Sequence, residues 1–169
     1  FVYIAAFGAF TNVSYSTSQE DKKIWGYLAY LVNGIKSMKQ IKEYDICVEL
    51  DDTVNIEGKY VLAMVSNSKS IGGIKNVNLK DASFDDGLFE VTLIKGAKNV
   101  DDLIRIMSSI ISGDIDNKVV EVYKASKIYI RSDEEIDWTL DGEYGGANKE
   151  AVIKNLHASV SIMCDKDYL

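Results

Sequence analysis

The run Trp138-Thr139-Leu140-Asp141-Gly142-Glu143 sets two carboxylates either side of a glycine, just after an apolar, strand-like stretch. Residues two apart in an extended chain face the same way, while a glycine turn can swing either one out. Three jobs are open to the pair. It can supply a general base for a hydroxyl, an outer ligand for a nucleotide-bound Mg²⁺, or only a solvated turn, because Asp-Gly between hydrophobic runs is also a signal for a tight primed hairpin.

A second acidic turn lies upstream, in Asp81-Ala82-Ser83-Phe84-Asp85-Asp86-Gly87-Leu88-Phe89. One committed carboxylate, from Asp86, together with neighbouring carbonyls offers the oxygen ligands that Mg²⁺ prefers, with water in the remaining positions. The plain alternative is an Asp-Gly hairpin with Asp85 solvated. Between Val65 and Gly73 a buried strand closes on Ser66-Asn67-Ser68 and then Ile71-Gly72-Gly73. Such a strand end brings bare backbone close to a ligand, which makes Asn67, Gly72 and Gly73 candidates for a substrate cleft. The phosphate-binding spacings GxGxxG and GxxxxGK[ST] are absent, so nucleotide binding is not assigned to it. His157, the only histidine, has no nucleophile beside it in Asn155-Leu156-His157-Ala158 and is read as structural.

The elements that must position these residues are mostly strands. Period-2 alternation runs through Ile46, Val48 and Leu50, followed by a nearly continuous apolar run from Tyr60 to Val65. Further strands are predicted at Leu88 to Ile94, Val119 to Tyr123, Lys127 to Arg131, Ile136 to Leu140, Ala151 to Leu156 and Ser159 to Cys164. Short turns between several of them favour antiparallel pairing and a sandwich or barrel-like closure. Two helices interrupt the strands. One follows the capping-type sequence Ser18-Gln19-Glu20-Asp21 and carries Ile24, Leu28, Leu31 and Ile35 before fraying near Met38. The other begins after Asn99, with Asp101 and Asp102 in the first turn, and stacks Leu103, Met107 and Ile110 until Gly113. Both apolar stripes are read as core.

At 169 residues and 47% hydrophobic content the chain has the size of one self-sufficient domain. A formal charge of −7 argues against a nucleic-acid groove and against a strong polybasic membrane anchor. No apolar run approaches the roughly 20 residues of a membrane span, and no secretory leader is present, so a cytoplasmic location is expected. Cys47 and Cys164 lie in β-like runs without CxxC spacing and are read as buried free thiols in a reducing compartment. Because the chain opens at Phe1, inside the apolar run Phe1 to Ala6, it is expected to be a piece of a longer protein.

Taken in order, Phe7-Gly8-Ala9-Phe10-Thr11, Trp25-Gly26-Tyr27-Leu28-Ala29-Tyr30, the Asn67 to Gly73 segment, Asp81-Ala82-Ser83 with Asp86-Gly87-Leu88, and Thr139-Leu140-Asp141-Gly142-Glu143 resemble the C-terminal half of bacterial diacylglycerol kinase-like lipid kinases. The resemblance runs nearly end to end, although Lys80 stands where relatives commonly carry proline. It implies a two-domain enzyme of the diacylglycerol, sphingosine and NAD kinase superfamily. In that family an N-terminal α/β domain holds ATP through a GGDGT motif, and the C-terminal domain is an antiparallel β-sandwich. With no GGDGT, residues 1–169 are expected to be that second domain, mainly β with two helices.

The resemblance maps the family's catalytic turn onto Asp141 and Glu143, one of them the base on the lipid hydroxyl. It maps the structural Mg²⁺ turn onto Ser83 and Leu88 through carbonyl oxygens and onto Asp86 through its carboxylate. The implied cofactors are Mg²⁺ and ATP. The implied partners are a diacylglycerol-like lipid, the chain's own ATP-binding domain and, transiently, a membrane surface at its inner face; a homo-dimer is left open. Two rivals remain: a non-catalytic β-sandwich serving as an interaction or regulatory module, and an NAD kinase-like domain. The isolated chain is expected to bind ATP weakly or not at all and to lack kinase activity, which a turnover assay with labelled ATP checks.

Overall fold

The computed structural model describes residues 1–9, 41–68, 83, 85–112 and 114–161. The helix predicted between Ser18 and Met38, the glycines Gly72 and Gly73, Lys80 to Ala82, and Cys164 lie outside these residues. Along the described chain the order is β1 (Ile4–Gly8), β2 (Tyr44–Leu50), β3 (Val54–Tyr60), β4 (Leu62–Ser66), β5 (Phe89–Ile94), α1 (Val100–Ser112), β6 (Val120–Ala125), β7 (Lys127–Leu140) and β8 (Glu143–Lys154).

All pairings are antiparallel, in the order β3-β2-β7-β1-β4-β5-β6, with β8 on β7. The long strand β7 joins two layers. Its first half pairs with β2 from Ile128 to Ser132, its last three residues pair with β1, and β8 runs along its other side. Alternation explains the core, since Ile128, Ile130, Ile136 and Trp138 share one parity and are all buried. They meet Ile46, Val48 and Leu50 from β2, Phe7 from β1, and Val91 and Leu93 from β5. The Phe7 ring packs edge-on against Trp138 at 4.9 Å and against Tyr44 at 5.4 Å.

The opposite face of β4, β5 and β6 holds a smaller cluster around Leu62, Ile94 and Val120, which α1 covers with Ile106 and Ile110. This helix is capped as its sequence predicts: the Asn99 side chain accepts from the Asp102 amide at 2.9 Å. Among the described residues no helix is long and apolar enough to cross a membrane.

Several strand boundaries differ from the sequence expectation. The run Tyr60 to Val65 is broken at Val61, whose amide and carbonyl bond to Ile94 and Ala9. Lys127 to Arg131 and Ile136 to Leu140 form a single strand, because the charged stretch between them keeps the same pleat beside an irregularity in the β8 pairing. Of the strand predicted from Ser159, residues 159–161 are described and are irregular. Cys47 is a free thiol, as expected, but it is half-buried rather than buried. It lies on the outer parity of β2, where the Arg131 guanidinium approaches its sulfur at 3.9 Å.

Gly8 ends β1 with φ +101, and a Cβ there would lie 2.1 Å from the Val61 carbonyl oxygen. Gly142 also has positive φ but open space around it. Gly8→Ala is therefore expected to lower stability by more than ~2 kcal/mol, since backbone must move, whereas Gly142→Ala carries mainly the left-handed penalty of ~1 kcal/mol. Urea midpoints of the two variants check the difference.

Candidate active site

Asp141 and Gly142, at φ 51 and φ 94, form a two-residue connection between the paired residues Leu140 and Glu143. The hairpin geometry holds, and it sends the two carboxylates to different tasks. Asp141 turns back onto the approach to β1, where its Oδ2 accepts from the Val2 amide at 2.7 Å. Its Oδ1 accepts from the Tyr3 and Ile4 amides, each at 2.8 Å. The Asp141 amide in turn donates to the Ile4 carbonyl at 2.8 Å. Burial pushes the Asp141 carboxyl up, but the amides of Ile4, Val2 and Tyr3 outweigh it and hold its pKa below the ordinary value. Glu143, the first residue of β8, is exposed, and its carboxylate has no hydrogen bond or ion pair among the described residues.

Of the second acidic turn, Ser83 and residues 85–88 are described. Residues 85–87 form a bend that leads into β5, whose partners among the described residues are β4 and β6. Its internal bonds pre-shape it: the Ser83 hydroxyl donates to Asp85 at 2.6 Å, and Asp86 Oδ1 accepts from the Leu88 amide at 3.0 Å. The other Asp86 oxygen faces Lys124 Nζ at 3.7 Å. A single carboxylate beside carbonyl groups suits a hard cation that keeps several of its waters. No group of three or more acidic, histidine or cysteine side chains able to hold a metal occurs among the described residues.

A groove of about 790 Å³ has Leu140, which precedes the Asp141 turn, and Phe89, which follows the acidic bend, in its lining. Its lining includes Phe1, Tyr3, Phe89, Trp138, Leu156 and Val160. Trp138 and Leu140 reach it from the strand that feeds the Asp141 turn, while Phe1 stacks on Phe89 at 5.3 Å beside the other turn. Asn67 also lines it, and its amide donates to the Tyr3 carbonyl at 3.0 Å. The groove thus reaches Asn67 and the chain neighbours of the two turns, Leu140 and Phe89, while Gly72 and Gly73 fall outside the described residues.

Two features escape sequence reading. Ser66, Glu90 and Thr92 share one face of β4 and β5, with Ser66 directly opposite Glu90, and all three are 0–1% exposed. Their side-chain oxygens make no hydrogen bond among the described residues, and burial pushes the Glu90 carboxyl up despite Lys124 Nζ at 3.9 Å. Nothing in the alternation of β5 marks a carboxylate for burial. The other is His157, whose Nε2 lies 2.8 Å from the Asp85 carbonyl oxygen, within hydrogen-bonding distance.

Asp141→Asn keeps the volume but replaces one acceptor oxygen with a donor group facing backbone amides. A stability loss of ~1–2 kcal/mol is expected at neutral pH for this exposed site. Because the folded-state pKa is depressed, the carboxylate's contribution is complete above the ordinary aspartate value of ~3.9 and is lost as pH falls through the folded value. The variant's stability is therefore expected to fall less steeply in acid, which urea midpoints at pH 7 and at decreasing acid pH check.

Comparison with known proteins places these features in a family. Residues 6–160 match the family described as the YegS C-terminal NAD kinase beta sandwich-like domain. Diacylglycerol kinase from Staphylococcus epidermidis (strain ATCC 35984) is 33% identical over 168 residues, covering 99% of this chain and 52% of that protein. Diacylglycerol kinase from Bacillus subtilis (strain 168) is 27% identical over 168 residues, covering 99% and 54%. The chain spans about half the length of the curated relatives it matches. A crystal structure of a diacylglycerol kinase from Bacillus anthracis str. Sterne shares the fold with a TM-score of 0.57 at 17% identity, over 92% of this chain and 47% of that one. With a match across most of its length and an antiparallel two-layer fold to go with it, the chain belongs to the YegS C-terminal NAD kinase β-sandwich-like domain family, whose relatives here are named diacylglycerol kinase.

Proposed function

We propose that this chain is the lipid-side domain of an ATP- and Mg²⁺-dependent kinase that phosphorylates a lipid hydroxyl, with diacylglycerol as substrate. The observation that carries the reading is the division of labour at the Asp141 turn. One carboxylate is tied to three backbone amides, and the other stands unengaged where the strand lining an apolar groove ends. The groove receives the apolar part of the lipid. Its hydroxyl then comes to Glu143.

Phosphoryl transfer demands mainly positioning and charge neutralisation, because the transition state is loose. Glu143 aligns the attacking hydroxyl and takes its proton late. Asp141 is a poor base, since three donors already stabilise its ionised form, and it acts by holding residues 2–4 against the turn. Ser83 and Leu88 through their carbonyls and Asp86 through Oδ2 would hold Mg²⁺, which supplies neutralising charge beside the groove. An ATP-holding domain contributed by flanking sequence brings the donor, and the protein works at the inner face of the membrane.

The test uses the protein as encoded, with whatever sequence flanks this chain, labelled ATP, and a panel of diacylglycerols, sphingoid bases, phosphatidylglycerol and NAD. Lipid phosphorylation is expected, and transfer to NAD alone overturns the reading. Glu143→Gln is expected to lower kcat by ~10²–10⁴-fold. Its urea midpoint is expected to stay within ~0.5 kcal/mol of wild type. Unchanged turnover in that variant would leave the turn a hairpin only.

A further inference from the structure

We infer that His157 is a positioning residue that fixes the acidic bend for its cation and links that bend to the wall of the groove. The inference rests on the cation-binding reading of the bend. Two independent contacts support it. The Nε2 atom of His157 lies 2.8 Å from the Asp85 carbonyl oxygen, so its N–H donates there. The imidazole also packs over Gly87, where a Cβ would come within 3.4–3.6 Å of its ring atoms.

The hydrogen bond selects among the carbonyls of the bend. With the Asp85 oxygen occupied by His157, the peptide between Asp85 and Asp86 has a fixed orientation. The Asp86 side chain then caps the Leu88 amide through Oδ1 and leaves Oδ2 for a cation. Released from His157, the bend gains freedom to let Asp86 close on Lys124, whose ammonium is already 3.7 Å from Oδ2. Lys124 would then compete with the cation for the one charged ligand.

The segment that carries His157 is itself held. The Asn155 amide donates to the Ser126 carbonyl at 2.8 Å, the Ser159 amide donates to the Leu156 carbonyl at 3.1 Å, and Ala158 adopts φ 52. That left-handed conformation is unfavourable for alanine and persists only where the surroundings impose it. Leu156 and Val160, which flank His157 in this strap, are exposed and line the groove. Material seated in the groove therefore presses on the same strap that orients the bend. By linkage, an apolar guest that favours the strap's present position strengthens cation binding, and the cation strengthens retention of the guest by the same factor.

The experiment measures Mg²⁺ binding by thermal shift and the Mg²⁺ dependence of kcat and KM, in the protein as encoded. It compares wild type, His157→Ala and His157→Gln, the last retaining an N–H donor at nearly the same reach. His157→Ala is expected to weaken apparent Mg²⁺ affinity several-fold and to raise the lipid KM more than it lowers kcat at saturating Mg²⁺. His157→Gln is expected to restore most of the affinity. Dioleoylglycerol in detergent micelles is expected to tighten Mg²⁺ binding in wild type and less so in His157→Ala. If wild type shows no Mg²⁺ response, the cation reading of the bend fails. If wild type responds and His157→Ala matches it, or if both variants fold normally and are equally impaired, the role of the His157 N–H is overturned while the cation reading stands.

Discussion

Along its fourteen residues β7 pairs with three other strands, and the arrangement of the Asp141 turn depends on that one pleated backbone. Its even-numbered residues from Ile128 to Trp138, Glu134 apart, face the core. A shift of one residue in its pairing would turn Ile128, Ile130, Ile136 and Trp138 outward together, so burial fixes the register strongly. Fixing register also fixes where the strand ends. It ends at Leu140, beside β1, and the two residues of turn that follow have their conformation set by the need to start β8 on the other side. The separation of Asp141 from Glu143 is a consequence of that geometry and not of any preference of the two side chains.

The same device occurs where no catalytic role is in question. Asp51, in the connection between β2 and β3, also has a left-handed backbone, with φ 49. Its carboxylate accepts from the amides of Ser126 and Lys127 and from the Ser126 hydroxyl, which hold its pKa low. In both places a turn aspartate reaches across to unpaired amides of a neighbouring chain segment and closes a seam of the sandwich. Aspartate suits the task because it tolerates positive φ and offers several acceptor sites on a short stem.

What the sequence reveals of this structure follows the range of the interactions involved. Alternation marks β2, β5 and β6 within a residue or two, and the Asn99 cap with its following aspartates marks α1, because these signals are local. The Asp141-Gly142 turn is legible for the same reason. The fate of the Asp141 carboxylate is not, since its acceptors bond to amides 137 to 139 positions away in the chain. His157 is illegible on the same ground, being 72 positions from Asp85. Glu90 is concealed for a different reason: a carboxylate in an alternating strand ordinarily marks the solvent face, and here that face is buried. Cys47 errs the opposite way, as apolar residue types on the outer parity of a strand need not be covered.

Three strands, β3, β6 and β8, have only one strand partner among the described residues, which makes them edges of the described sheet. Such edges invite strand-to-strand association between molecules, the first step toward aggregation. On β3 the exposed residues include Asn55, Glu57 and Lys59, and on β8 they include Asn148, Lys149 and Glu150. Both charge signs occur within each edge, so a second copy approaching in most registers meets mismatched or like charges while having to desolvate them. The overall charge of −7 adds a long-range repulsion between copies at low ionic strength. Among the described residues, sheet margins that resist self-association thus stand beside a groove lined with apolar residues, a separation of stickiness from solubility.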